Sequence, residues 1–284
     1  MRVRLTPVHA RRRALASLFG IGAAAAFPVL AQEGVDVGRQ SAFTRLVPAD
    51  QIESMSAKEY SQLLAQARSQ NALAPENHPQ MRRLRYIAER LIPLGMKWNA
   101  RARQWRWEVN LIGSKQLNAF CMPGGKIVFF TGILQALQLD DDEVAQIMGH
   151  EMAHALREHA RERMGKTAAT RLGTSVISGL LGLGSTGDAL VNMGGKLLTL
   201  EFSREDESEA DLIGMELAAR AGYEPQAAVR LWQKMGEANR GAPPQFLSTH
   251  PSASTRIRDL QANLARVAPL YAAASKPAQR FDRG

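Results

Sequence analysis

The sequence predicts an α+β fold, mainly helical, with a small and mostly antiparallel sheet packed on one helix. Three observations predict it. Alternation of apolar and polar side chains is confined to residues 105–130. Helical spacing of apolar residues flanks that stretch, and from Thr131 it runs on almost to the C-terminus. The 284 residues are 45% hydrophobic and 22% charged, a globular composition that excludes a disordered, collagen-like or polytopic membrane chain.

Taken in order, residues 1–31 read as a secretory signal peptide. Arg11-Arg12-Arg13 precedes an uncharged apolar stretch, Ala14 to Leu30, and Val29-Leu30-Ala31 offers a small-residue cut before Gln32. Cleavage near Ala31 makes the mature chain exported, periplasmic and soluble, by the general or the twin-arginine route. Formal charge is +9, but these residues carry five arginines and no acid, and their loss leaves +4 on the remaining 253. So modest a charge makes no case for a nucleic-acid partner. Cys121 is the only cysteine, which excludes an intrachain disulfide, cysteine-rich zinc sites and a lipoprotein anchor near the start.

Residues 32–78 form a helical lead-in, loose over 32–50 and helical from Ser56 to Asn71. The main domain is expected over 79–268. It opens with a helix over Pro79 to Leu94, whose Leu84, Ile87, Ala88 and Leu91 share one face. Trp105 to Leu111, Leu117 to Met122 and Lys126 to Phe130 read as strands, the last two hinged by Pro123-Gly124-Gly125. Asp140-Asp141-Asp142 places acids at a helix start, where the macrodipole favours them, and that helix is expected to run to Arg163. The Gly- and Leu-rich segment 174–200 reads as a helical hairpin with a flexible middle, packed as core or poised over a cleft or a membrane surface. Helices over Arg204 to Ala221, Pro225 to Ala238 and Ser254 to Val267 follow, with 241–251 a loop. Residues 269–284 read as a disordered tail.

The pentapeptide His150-Glu151-Met152-Ala153-His154 carries the chemistry. On a helix, positions i and i+4 share a face one turn apart, so both imidazoles can converge on one Zn²⁺ at about 2.0–2.1 Å. Glu151 sits at the edge of that face, close enough to meet a water but not to bind the ion. The motif lies inside an apolar helix segment, where two unpaired histidines and a carboxylate are costly to bury, and metal binding removes that cost. A catalytic zinc needs a third protein ligand and an open position. His159 neighbours a basic run, Arg157 to Arg163, and reads as solvated. The acidic run Glu205 to Asp211 is the better source of the ligand. Glu207 and Asp211 lie one turn apart there, and Gly214 and Ala218 continue a small-residue stripe suited to close helix packing. Spacing alone does not single out Glu207 within the run, although Glu205 and Glu209 read as a charged face.

Four stretches in this order resemble the type I CaaX prenyl-protease peptidases with the bacterial HtpX-like and BepA-like proteases. They are Asn118-Ala119-Phe120 with Pro123-Gly124-Gly125 and Thr131-Gly132; Glu143 to His154; Phe202-Ser203-Arg204 through Glu207-Ser208-Glu209-Ala210-Asp211; and Thr249-His250-Pro251 with Arg256. The match covers about Met81 to Val267. The resemblance implies a gluzincin core with one zinc ion held by His150, His154 and Glu207. It places Asp211 behind a liganding histidine and makes Asn118, Ala119 and Phe120 an edge strand for substrate. The chain departs from the family in its length and in having no later apolar run of spanning length, and is therefore expected to be a stand-alone exported member without the helical-repeat domain or membrane spans of other members.

The expected activity is zinc-dependent endopeptidase cleavage of misfolded or damaged envelope proteins, with Glu151 as the base that relays a proton from water to the leaving amine. His250 has three readings: oxyanion stabiliser, latency ligand on the open zinc position, or solvated loop residue. The competing function is a chaperone-like module that holds unfolded envelope proteins without cutting them.

Overall fold

In the computed structural model the described residues are 34–180, 197, 200–238, 246, 250 and 254–283. All belong to one unit spanning residues 33–284. The signal-peptide expectation lies outside the described residues, as do 181–196 of the Gly- and Leu-rich segment and most of the 241–251 loop. The expected mainly helical α+β class is observed.

Helices α1 (Ala49–Ser69) and α2 (Pro79–Gly95) lead into three strands: β1 (Glu108–Ile112), β2 (Ala119–Met122) and β3 (Lys126–Phe130). The strand order is β1-β3-β2, and β3, buried along its whole length, takes the centre. A run as apolar as Ile127-Val128-Phe129-Phe130 is stable only with both faces covered. Gly124 and Gly125, at φ +82° and +78°, make the tight β2–β3 hairpin. The sheet corrects one expectation. β2 pairs with β3 antiparallel, but β1 pairs with it parallel, so the sheet is mixed and not mostly antiparallel. The link over 113–118 carries the chain past the central position that β3 then fills.

After β3 come α3 (Thr131–Ala136) and then α4 (Asp141–Leu156), which packs against β2 and β3 and is buried along almost all of its length. Asp140 and Glu143 form a reciprocal capping box at the start of α4, with bonds of 2.9 Å each way. A cap of this kind is worth about 1 kcal/mol. Arg83 of α2, fully buried, pairs with Asp141 at 2.6 Å and donates to the Leu139 carbonyl.

The helix expected to reach Arg163 stops at Leu156 instead. Glu158 adopts φ +59°, and a second helix, α5 (His159–Leu180), starts in a new direction. A non-glycine residue held there costs on the order of 1–3 kcal/mol, so surrounding contacts must sustain the break. Gln40 and Arg161 both bond the Glu158 carboxylate at 2.7 Å.

Helices α6 (Arg204–Arg220), α7 (Ala227–Ala238) and α8 (Ser254–Ala273) complete the fold. The expected disorder beyond Pro269 is also corrected. α8 continues through Pro269, held by buried Val267 and Leu270, and residues 278–283 lie along α2 and the start of α4. The Ala278 and Gln279 amides donate to the Tyr86 hydroxyl, the Phe281 amide donates to Asp141, and Arg280 pairs with Asp142 at 2.8 Å. Among the described residues, no helix is long and apolar enough to cross a membrane.

Candidate metal centre

The site is built where α4 meets α6. Gly149 and Gly214 set the approach, because a Cβ on Gly149 would lie 2.7 Å from the Gly214 carbonyl oxygen and one on Gly214 would lie 2.6 Å from the His150 nitrogen. No other residue fits at either position without moving a backbone. The small-residue stripe read from the sequence therefore does bring the two helices together.

His150 and His154 point their Nε2 atoms at one another across 3.1 Å. Glu207 reaches the same point from α6, with oxygens 3.6 Å from His150 Nε2 and 3.5 Å from His154 Nε2. All three side chains are buried. The other nitrogen of each ring is engaged: His150 Nδ1 lies 3.1 Å from Asp211 Oδ1, and His154 Nδ1 lies 2.9 Å from His159 Nδ1. If each Nδ1 carries its ring's proton, both Nε2 atoms are bare acceptors facing each other, an arrangement that a cation between them relieves. A tetrahedral ion with bonds of about 2.0–2.1 Å has ligand–ligand edges of about 3.3–3.4 Å. The separations observed, 3.1 Å between the two rings and 3.6 and 3.5 Å from them to the two different oxygens of Glu207, lie near that value, so the donor set fits zinc.

Asp211 is locked by Arg256, whose Nε and Nη2 donate to its two oxygens at 2.6 and 2.7 Å, and by the Trp232 indole at 3.2 Å. Burial alone would raise its pKa, but Arg256 and His150 outweigh that and hold the carboxyl down at about 2. Glu207 is also held ionised. Burial pushes it up, and His250, His150 and Arg256 pull it below the ordinary carboxylate value. Burial and the neighbouring His150 push His154 well below the usual imidazole range, leaving it neutral and able to ligate.

Glu151 faces the same cavity, 2% exposed, and among the described residues its Oε1 has no hydrogen-bond partner. Burial raises its pKa against the pull of His250 and His150. His250 is buried too, with Nδ1 2.9 Å from Glu207 and 3.3 Å from His150 Nε2, and Nε2 3.6 Å from Glu151. It joins His150, His154 and Glu207 as a fourth donor within one cluster. The solvated-loop reading of His250 does not survive this burial.

Sequence reasoning also missed His159. Expected to be solvated, it is 1% exposed and backs His154, with its Nε2 3.3 Å from Glu209. Glu209, expected on a charged face, is half-buried and also pairs with Arg157 at 2.7 Å. Spacing concealed this, since a residue five positions after His154 on an unbroken helix points elsewhere. Phe202 stacks on the His154 ring at 4.0 Å between centroids, another contact the sequence did not announce.

Residues 78–264 match peptidase family M48. The chain belongs to that family. Its M48 relatives include the mitochondrial metalloendopeptidase OMA1 of Arabidopsis thaliana, 40% identical over 56% of this chain and 32% of the relative. The metalloprotease LoiP of Escherichia coli is 28% identical over 68% of this chain and 74% of LoiP. The beta-barrel assembly-enhancing protease of Yersinia pestis is 27% identical over 63% of this chain and 38% of that protein. The chain thus spans about a third of the first and last of these relatives. In this M48 chain a narrow cleft joins the cluster to the sheet edge, lined by Asn118, Ala119, Phe120, Glu151, Phe202 and His250. A larger cavity of about 440 Å³, between α1, α2 and β1, contains none of the cluster.

Proposed function

We propose that the chain is a zinc-dependent endopeptidase of the cell envelope that cleaves misfolded or damaged proteins in the periplasm. One observation carries the catalytic reading: three buried donors converge on one point, and the residue beside the first of them turns in a buried carboxylate oxygen that accepts no hydrogen bond among the described residues. The envelope setting draws on the leader-like residues 1–31 and on the printed name of the barrel-assembly relative. The contact with a membrane surface through 174–200 stays a proposal, since most of that segment lies outside the described residues.

His150, His154 and Glu207 would hold the zinc, with Asp211 fixing the His150 ring. Bound zinc supplies Lewis acidity toward water and toward a peptide carbonyl. Glu151 takes a proton from the attacking water and passes it to the leaving amine. β2 is an edge strand, and along it Ala119 and Cys121 turn their backbone groups away from β3. The register that sends the Asn118 carbonyl to Phe130 requires this. An extended substrate can pair there through its main chain, which supports loose side-chain specificity. A holding function without cleavage would leave Glu151 buried for no return.

Casein cleavage by the purified mature chain, read together with its metal content, tests this function. Cleavage is expected to stop when a chelator removes the metal and to return on adding zinc. Stable cleavage in a sample free of metal sinks the reading. A second expectation concerns His250. Its place among the donors supports latency, so His250→Ala should raise basal casein cleavage several-fold. A collapse of activity in the same assay assigns His250 to the oxyanion instead.

A further inference from the structure

We propose that His159 is a positioning residue that, with Glu209 behind it, sets the tautomer and ring angle of His154. The inference rests on the metal-site reading above and extends it to residues outside the cluster. A histidine that ligates through Nε2 carries its proton on Nδ1 and needs an acceptor there. His150 has a carboxylate, Asp211. His154 has another imidazole, His159 Nδ1, at 2.9 Å. For that nitrogen to accept, His159 must carry its own proton on Nε2. The only acceptors the described residues offer to Nε2 are Glu209 Oε2 at 3.3 Å and, more distant, Asp206 Oδ1 at 3.9 Å. Glu209 is in turn fixed by the Arg157 guanidinium at 2.7 Å. The chain of donors therefore runs one way, from His154 through His159 to Glu209.

The backbone is arranged to make this contact. The left-handed Glu158, just past the end of α4, turns the chain so that His159, the first residue of α5, meets the edge of the His154 ring Nδ1 to Nδ1, with the two rings 74° apart. A continuous helix would carry it to another face. A strained residue placed where it delivers one side chain to the site is the pattern expected of a functional constraint.

The test measures zinc affinity of the purified full chain by competition with a chromophoric chelator, and melting of the metal-free form. His159→Leu keeps the apolar bulk and removes the acceptor. His159→Asn loses bulk but keeps an acceptor oxygen near the Nδ1 position. Leu is expected to weaken zinc binding about 10–100-fold, and Asn to restore most of that loss. Leu binding zinc as tightly as the parent overturns the proposal. So does equal weakening by Leu and Asn, or a loss in Leu matched by collapse of its metal-free form, since either makes His159 a packing residue. If Leu does not fold, Glu209→Ala at the half-buried end carries the same test, with weaker zinc binding expected and unchanged binding overturning it. A parent chain that binds no zinc at all removes the metal-site reading itself, and the two failures are thereby distinct.

Discussion

Glu151→Gln should lower peptide cleavage by about 10²–10⁴-fold, the range that general acid–base groups contribute, while leaving zinc content unchanged. The amide matches the carboxylate in shape, so packing around the residue is preserved. Glu151 also stands outside the donor cluster of His150, His154, Glu207 and His250. What is lost is the ability to accept a proton. Turnover should be followed on a fluorogenic peptide or casein, with metal measured on the same preparation. Wild-type turnover in the variant would remove Glu151 from the reaction. Loss of metal along with activity would instead make it part of the binding site.

Gly214→Val should damage both fold and metal site. The first side-chain carbon alone would meet the His150 nitrogen at 2.6 Å, and that atom belongs to backbone that cannot rotate aside. Replacing a helical glycine gains a few tenths of a kcal/mol for valine, whereas overpacking costs about 1–3 kcal/mol or more. The balance is a loss. For a domain of this size each kcal/mol lowers the melting temperature by about 2–4 °C. Because the helices must part by a few tenths of an ångström or more, Glu207 withdraws from His150 and His154, and zinc affinity should fall by at least about tenfold. Calorimetry and chelator competition together check this. A variant that melts and binds as the parent does would show that the two helices are not set by this contact.

Much of the site was legible because it obeys helical periodicity. His150, Glu151 and His154 fall on one buried helix, and the stripe Glu207, Asp211, Gly214 falls on the helix packed against it. Selecting Glu207 from its acidic neighbours needed the family resemblance, since Glu205, Glu207 and Glu209 differ only in which way they face. The resemblance holds at the level of the M48 peptidases. Three features were hidden for physical reasons. Glu158 takes a conformation usually left to glycine or asparagine, so nothing local marked the end of α4. The parallel pairing of β1 arises from β3 entering between earlier strands, a choice made by burial over the whole sheet. The tail has a composition poor in large apolar residues, yet Phe281 packs near Tyr86, with ring centroids 5.6 Å apart, and Arg280 finds Asp142. Order there comes from tertiary partners far away in the chain.

That last contact has a bearing on how the protein is made. The amide of Phe281 closes on Asp141 across 140 residues of sequence. At a synthesis rate of about 5–20 residues per second, the start of the histidine-bearing helix emerges roughly 7–28 s before the segment that clasps it. Until that segment is in place, the start of the helix relies on its own cap and on Arg83.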